Sequence, residues 1–383
     1  VHAAPQIRAL TGLRALPALL VVFYHFYREH IPAVPVVPYL VDSGFVAVGM
    51  FFVLSGFILT YSYAGVSLRD PSERRRFFRA RFARVYPVYL LSLVVGFLAR
   101  LPASATEAAT WRGLRHIALT LPLLNAFSRY GMFYLNWAAW SLSAEAFFYL
   151  LFPWISVWLR SRARSDRALV AVGLLAWVFG LVAPTAYSIL DPDHLGRPLG
   201  AHDEVLWSWY LKFYPVTHVG SFVIGVVAGL LFLRHRPQRA SWRPGFAVAA
   251  SALFLVAVLC TQLVPFAYLT TDVLAPVFAV LIAAVAATDG TRSLVSRGLQ
   301  LAPVMLLGRA SYAVYILHVP VFYVFLHFLP QMWDSAPLFW PYLGALIGAS
   351  VGVYKVVEEP ARRALTRGAA TGPHGGVAPE RAA

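Results

Sequence analysis

The sequence predicts an all-α, polytopic membrane protein of about ten transmembrane helices. Three observations carry that expectation: 59% of the 383 residues are hydrophobic, only 13% are charged, and long apolar segments recur along the chain, with mean hydropathy +0.66. Soluble domains carry about 25% charged residues. A bilayer core of roughly 30 Å is crossed by about 20 mostly apolar residues. The pattern predicts helices over 10–29, 44–63, 84–101, 138–159, 168–187, 209–233, 245–263, 271–288, 304–328 and 338–357. They form one membrane domain, residues 1–366, followed by a disordered, cytoplasmic Gly-, Ala- and Pro-rich tail over 367–383. No small-residue cleavage site follows the first segment, so it reads as an anchor and not as a cleaved signal.

The formal net charge is +15, with 32 Lys and Arg against 17 Asp and Glu. Such a balance suits a nucleic-acid binder. Here, however, the arginines cluster in short loops between apolar segments, as in cytoplasmic loops, and no nucleic-acid partner is expected. The clusters are Arg69 to Arg84, Arg160 to Arg167, Arg234 to Arg243, Arg292 with Arg297, and Arg362 to Arg367. Ten crossings put all of them, and both termini, on the cytoplasmic face of what reads as a bacterial cytoplasmic membrane. The single cysteine, Cys260, permits no intrachain disulfide and reads as a small packing residue. Two outer segments exceed ordinary turns. Residues 102–137 contain an amphipathic stretch, Leu114 to Phe127, broken by Pro122. Residues 188–208 carry Asp191, Asp193, His194, His202 and Asp203, which read as solvated loop residues and not as metal ligands. No internal repeat suggests the inverted halves of many transporters.

Ionisable residues inside apolar spans are costly and mark functional sites by default. They are Arg14, His25, Glu145, His218, Asp272, Arg309, His318 and His327. Arg14 and His25 are eleven residues apart, three helical turns plus 20°, so an uninterrupted helix places them on one face about 16.5 Å apart. A pantetheine arm is on the order of 15 Å long, comparable with that rise. It joins a charged nucleotide, which suits guanidinium, to a thioester, which needs a base that moves a hydroxyl proton. Arg81 and Arg84 face one direction at three-residue spacing and suit phosphate, whereas Arg74 to Arg79 read as a basic loop near anionic lipid headgroups.

Four blocks, together with Arg14-x10-His25, make the sequence similar to the integral membrane acyltransferase-3 family. They are FFVLSGF at 51–57, Arg81-x-x-Arg84 followed by Tyr86-Pro87, WSLSAEAFFYLLFP at 140–153, and GRASYAVYILH at 308–318. The resemblance runs from about residue 7 to about residue 360. It implies an O-acyltransferase that moves an acyl group from cytoplasmic acyl-CoA, acetyl or another short chain, to a hydroxyl on a glycoside, glycan or lipid. By that resemblance His25 is the catalytic histidine, Arg14, Arg81 and Arg84 bind the donor, and Glu145 is the essential acid. Many relatives have an Asp before FFVLSGF, where this chain has Val48, Gly49 and Met50. The sequence predicts no fused extracytoplasmic esterase-like domain, which favours a small glycosylated acceptor such as a macrolide sugar over a cell-surface glycan.

In the residues themselves, Glu145 beside His25 would fix the imidazole tautomer, as in a catalytic triad. Ser141, Glu145 and Tyr149 lie on one helical stripe. Ser141, Ser143, Tyr149 or backbone groups are the oxyanion candidates. His318, on a small and polar stripe with Gly308, Ser311, Tyr312 and Tyr315, is either a substrate contact or a packing residue. Counting rise per residue puts His25 and Glu145 at one depth, in a shared cavity of the outer half of the membrane. Direct transfer and an acyl-histidine intermediate both remain open, and no metal or permanently bound cofactor is expected. The rival class is a proton-coupled transporter or lipid flippase with His25 and Glu145 as a proton relay.

Overall fold

The computed structural model describes residues 5–31, 34–101, 103–129, 135–200, 203, 205–235 and 244–367. The expected tail from Gly368 to Ala383, and His202, Arg236, Arg239 and Arg243, lie outside the described residues. Among the described residues nine helices are long and apolar enough to cross a membrane, and a tenth apolar helix is shorter. In chain order they are α1 (Arg8–Phe26), α2 (Gly44–Ser62), α3 (Pro71–Ala99), α4 (Trp137–Arg162), α5 (Asp166–Leu190), α6 (Pro215–His235), α7 (Pro244–Thr261), α8 (Ala275–Thr288, the short one), α9 (Ala302–Phe328) and α10 (Ala336–Leu365). The protein is therefore an all-α, multi-pass membrane protein.

Hydrogen bonds between helix ends show how the ten alternate. Ala9 N–H, at the start of α1, donates to Asp289 Oδ1 just past α8, at 2.9 Å. Arg160 near the end of α4 donates to Ala64 O beyond α2 (2.6 Å), and Arg234 near the end of α6 to Asp166 at the start of α5 (3.0 Å). At the opposite end, His30 after α1 meets the Trp333 carbonyl after α9 at 3.0 Å. Starts of odd helices thus sit with ends of even ones. The alternation holds with the 14-residue α8 counted as one traversal.

Three helices depart from their expected form, each for a local reason. α3 begins at Pro71 and not near residue 84, because Asp70 caps it by accepting from Ser72 N–H (2.8 Å) and Pro71 fits the first helical position. Arg74 to Arg84 therefore ride on a helix and not in a loop. α1 is two helices, Arg8–Leu13 and Ala15–Phe26, joined at Arg14. Pro17 has no N–H for the Leu13 carbonyl, which removes the hydrogen bond across that junction. α10 contains a π-helical turn, Tyr354–Glu358.

Close packing centres on α2, α6 and α9. A Cβ at Gly225 of α6 would fall 2.0 Å from the Val53 carbonyl oxygen, and one at Gly56 of α2 would fall 2.2 Å from that of Phe222. Only glycine allows these backbones to approach so closely. Between α3 and α4, the helix Trp111–Thr120 turns His116 and Thr120 inward and ends before Pro122. Tyr89 Oη donates to the Thr120 carbonyl at 2.5 Å, so this segment packs on α3.

Candidate functional site

Inside the bundle, α1, α2, α3, α4 and α9 enclose about 740 Å³ of space, counted with its open mouth. Arg14, Arg81, Arg84, Ser141, Glu145 and Tyr149 all line it, with Ser55 from α2 and Ser311, Tyr312 and Tyr315 from α9. Six of the nine residues singled out from sequence therefore meet in one cavity.

Three guanidiniums dominate its charge. The Arg81 guanidinium carbon lies 5.9 Å from the Tyr63 ring centre and 6.0 Å from those of Phe77 and Tyr149. These aromatic faces hold the cation in place. Its Nε is buried without a hydrogen-bond partner. Glu145 Oε1 accepts from Ser55 Oγ at 3.1 Å and from the Tyr149 hydroxyl. A second carboxylate, Glu358, acts on both Arg84 and Arg14 from the π-helical turn of α10. Its side chain is 5% exposed, and its Oε2 has no partner. Three cations against two carboxylates leave the cavity with a net positive charge suited to an anion. Sequence reading passed over Glu358, whose only signal is the Glu358-Glu359-Pro360 run at the end of the last apolar segment.

His25 does not line this cavity. It is the last residue but one of α1, which ends at Phe26 and not at 29, whereas Glu145 lies eight residues into α4 from Trp137. Eight residues correspond to about 12 Å of rise, so the two are not at equal depth. Arg14 keeps helical dihedrals at the junction (φ −62°, ψ −20°), yet it lines the cavity and His25 does not. The partner of His25 is His318: Nδ1 of His25 and Nε2 of His318 are 3.1 Å apart. Trp137 packs edge-on to the His25 ring, with centroids 4.4 Å apart. His318 is fully buried, and its Nδ1 faces the carbonyl of Tyr315 one turn earlier. The expectation that Glu145 backs the imidazole is thus corrected, since that carboxylate is engaged by Ser55 and Tyr149 among the arginines.

Between cavity and histidine pair stands Tyr315. Its hydroxyl accepts from Ser141 Oγ at 2.7 Å and donates to the Ala138 carbonyl at 3.2 Å. Its ring lies 5.7 Å from that of His318. The single cavity expected for His25 and Glu145 is therefore divided by a tyrosine and a serine.

The histidine-bearing turn of α9 is itself well anchored. Pro320 has no N–H to offer the Ile316 carbonyl four residues back. Asn136 Nδ2 supplies that bond instead at 2.8 Å, and the Tyr342 hydroxyl donates to the His318 carbonyl at 2.9 Å.

Ser143 is removed from the oxyanion candidates. Its hydroxyl donates to the Leu123 carbonyl (2.5 Å) and accepts from Ala126 N–H (3.3 Å), which pins the 123–126 turn. Two other intramembrane ionisable residues have structural partners. Asp272 accepts from Ser221 Oγ at the start of α6, and His218 Nε2 donates to the Lys212 carbonyl at 2.9 Å. In the outer 188–208 segment Asp193 accepts from the N–H groups of Trp207 (3.0 Å) and Ser208 (2.9 Å), and Asp191 from those of Leu195 (2.9 Å) and Gly196 (2.8 Å). Among the described residues no group of three or more His, Cys, Asp or Glu is arranged to hold a metal ion.

An all-helical membrane bundle around a cavity rich in arginine is a membrane protein with an anion-binding interior, and comparison with known proteins gives its class as a membrane acyltransferase. Residues 7–355 match the acyltransferase-3 family, described as an acyltransferase domain, and the chain belongs to that family. Acyltransferase MdmB of Streptomyces mycarofaciens is 30% identical over 398 residues, covering 94% of this chain and 93% of that protein. O-acetyltransferase OatA of Staphylococcus aureus is 21% identical over 396 residues, covering 95% of this chain but 58% of OatA. No solved structure matches. The protein is accordingly a multi-pass membrane O-acyltransferase.

Proposed function

We propose that the donor is a short-chain acyl-CoA entering from the cytoplasmic face, where the basic helix ends gather, and that His25 is the general base for a hydroxyl on a glycosylated small molecule or glycan. The observation that carries this reading is the cavity of Arg14, Arg81 and Arg84, which offers guanidinium to an anion at one end and stops at Tyr315 and Ser141, beside the histidine pair, at the other. The nucleotide phosphates pair with the guanidiniums, and the pantetheine arm runs toward Tyr315. The arm displaces the Ser141–Tyr315 contact to bring the thioester to His25. Glu145 then serves the donor side, holding Tyr149 and Ser55 and offsetting part of the guanidinium charge.

In the reaction, the acceptor oxygen bonds to the thioester carbonyl carbon while its proton passes to the imidazole of His25. The carbon–sulfur bond then breaks, and the coenzyme A thiolate leaves toward the arginines, regaining the proton. Ser141, which lines the cavity beside Tyr315, is the candidate for stabilising the oxyanion, whereas Tyr149 stays with Glu145 on the donor side. A glycosylated small molecule, such as a glycosylated macrolide, is the preferred acceptor in this reading, with a cell-surface glycan as the alternative.

Purified protein in detergent, given radiolabelled acetyl-CoA and a panel of glycosides, tests the reading by transfer of label and by product mass. His25→Ala should abolish transfer, at least about 100-fold, with acetyl-CoA affinity intact. Wild-type turnover in that variant would remove His25 as the base. Uncoupled movement of a glycoside or lipid without acyl transfer would favour a transporter.

A further inference from the structure

Outside the arginine cavity, the contact with the most direct chemical consequence is the one between two histidines. His318 is 0% exposed, and its two ring nitrogens face different groups: Nδ1 the Tyr315 carbonyl, Nε2 the Nδ1 of His25. A carbonyl oxygen only accepts, so Nδ1 of His318 carries the hydrogen. A neutral imidazole then has a lone pair at Nε2. Among the described residues no carboxylate acts on His318, so a second, charged proton has nothing to offset it in that interior. The lone pair must be met by a hydrogen on Nδ1 of His25. That leaves Nε2 of His25 as the unprotonated nitrogen.

Ring geometry agrees. The two ring planes differ by 10°, with centroids 5.1 Å apart. That separation is nearly the two ring radii added to the 3.1 Å nitrogen contact, the edge-to-edge arrangement of an in-plane hydrogen bond and not a face stack. The anchors around it are unusually complete. Asn136 restores the carbonyl bond that Pro320 removes, Tyr342 holds the His318 carbonyl, and Trp137 packs against His25. His25 itself keeps partial exposure while His318 has none. The inner ring is therefore placed to orient and the outer one to react.

We propose that His318 is a positioning residue, forming with the Tyr315 carbonyl a relay that holds His25 in its Nδ1–H tautomer and presents Nε2 as the basic atom. The inference rests on the reading of His25 as general base. It replaces the role that a carboxylate plays behind histidine in serine hydrolases with a second imidazole backed by a peptide carbonyl. A carboxylate there would add a buried negative charge. The imidazole relay orients the ring without one.

Protein labelled with 13C,15N-histidine and reconstituted in lipid tests the relay by magnetic resonance, with His25 assigned by difference against His25→Gln. In the wild type His25 should be the Nδ1–H tautomer, and an Nε2–H tautomer there overturns the proposal without any variant. In His318→Ala the tautomers should mix, and turnover of acetyl-CoA should fall on the order of 10- to 100-fold with its KM unchanged. His318→Gln places an amide oxygen within similar reach of His25 Nδ1. It should keep the Nδ1–H tautomer and lose less than about tenfold in turnover. Equal inactivity of the two variants, with the His25 tautomer unaltered in both, also overturns the relay. Full turnover in His25→Ala would instead defeat the general-base reading, which the tautomer measurement does not depend on.

Discussion

At the scale of single residues, the most decisive feature is the gathering of Arg14, Arg81 and Arg84 around one cavity. A guanidinium held by aromatic faces, with a buried Nε lacking a partner, is a cation prepared for an anionic ligand. Arg81→Ala and Arg84→Ala should each weaken coenzyme A binding about tenfold or more, since charge-assisted phosphate contacts are worth about 1.5–3 kcal/mol. Calorimetry with coenzyme A checks this, and unchanged affinity in both variants would return these arginines to the role of lipid-headgroup contacts. Sequence spacing put Arg81 and Arg84 on one face of a helix, and the family resemblance joined Arg14 to them. Neither was enough to pair His25. Which side chain meets which across different helices depends on helix ends, and α1 ends three residues earlier than apolarity alone suggests because polar residues after Phe26 leave the bilayer pattern only gradually. Glu358 was missed for a similar reason, since a π-helical turn rotates it inward and nothing in composition marks such a turn.

At the scale of elements, the close approach of α2 and α6 makes a strict demand. Gly225→Ala would put a methyl group 2.0 Å from the Val53 carbonyl oxygen, a backbone atom that cannot rotate away. It should destabilise the bundle by about 1–3 kcal/mol, read as a lower unfolding midpoint in detergent. Restored stability in a double variant would not be expected, because no side chain can be trimmed to make room. The outer 188–208 segment makes a different prediction. The Arg197 guanidinium (2.7 and 2.8 Å) and the Gly200 N–H (2.7 Å) bind the Asp203 carboxylate. They pull its pKa from 3.8 down to about 2. A depressed folded-state pKa contributes stability that is present above the unfolded value and lost as pH falls through the folded one. The segment should therefore stay ordered down to about pH 4 and loosen between pH 4 and pH 2. Arg197→Ala should raise the pH at which limited proteolysis begins. Element positions were largely readable from hydropathy, but α3 was begun thirteen residues late. Its first turns are too charged to look like a span, and only the Asp70-Pro71 cap reveals them.

At the scale of the whole molecule, the ten alternating helices bring every basic cluster among the described residues to one end, as expected from the arginine distribution. The partition between a donor cavity and a histidine pair was beyond sequence, since it depends on Ser141 of α4 meeting Tyr315 of α9, 174 residues away. That contact has an electrical meaning. A membrane that stores energy holds about 2.3 kcal/mol per elementary charge for each 100 mV, and any continuous water path would dissipate it. Tyr315 and its serine stand between the arginine cavity and the histidine pair. On the proposed path of the donor, the tyrosine is therefore the insulator, which has to yield to a thioester without yielding to protons. Tyr315→Ala in sealed vesicles should therefore dissipate an imposed pH gradient faster than the wild type, with or without acyl donor, as a pH-sensitive dye would record. An unchanged leak would mean that the seal lies elsewhere in the bundle.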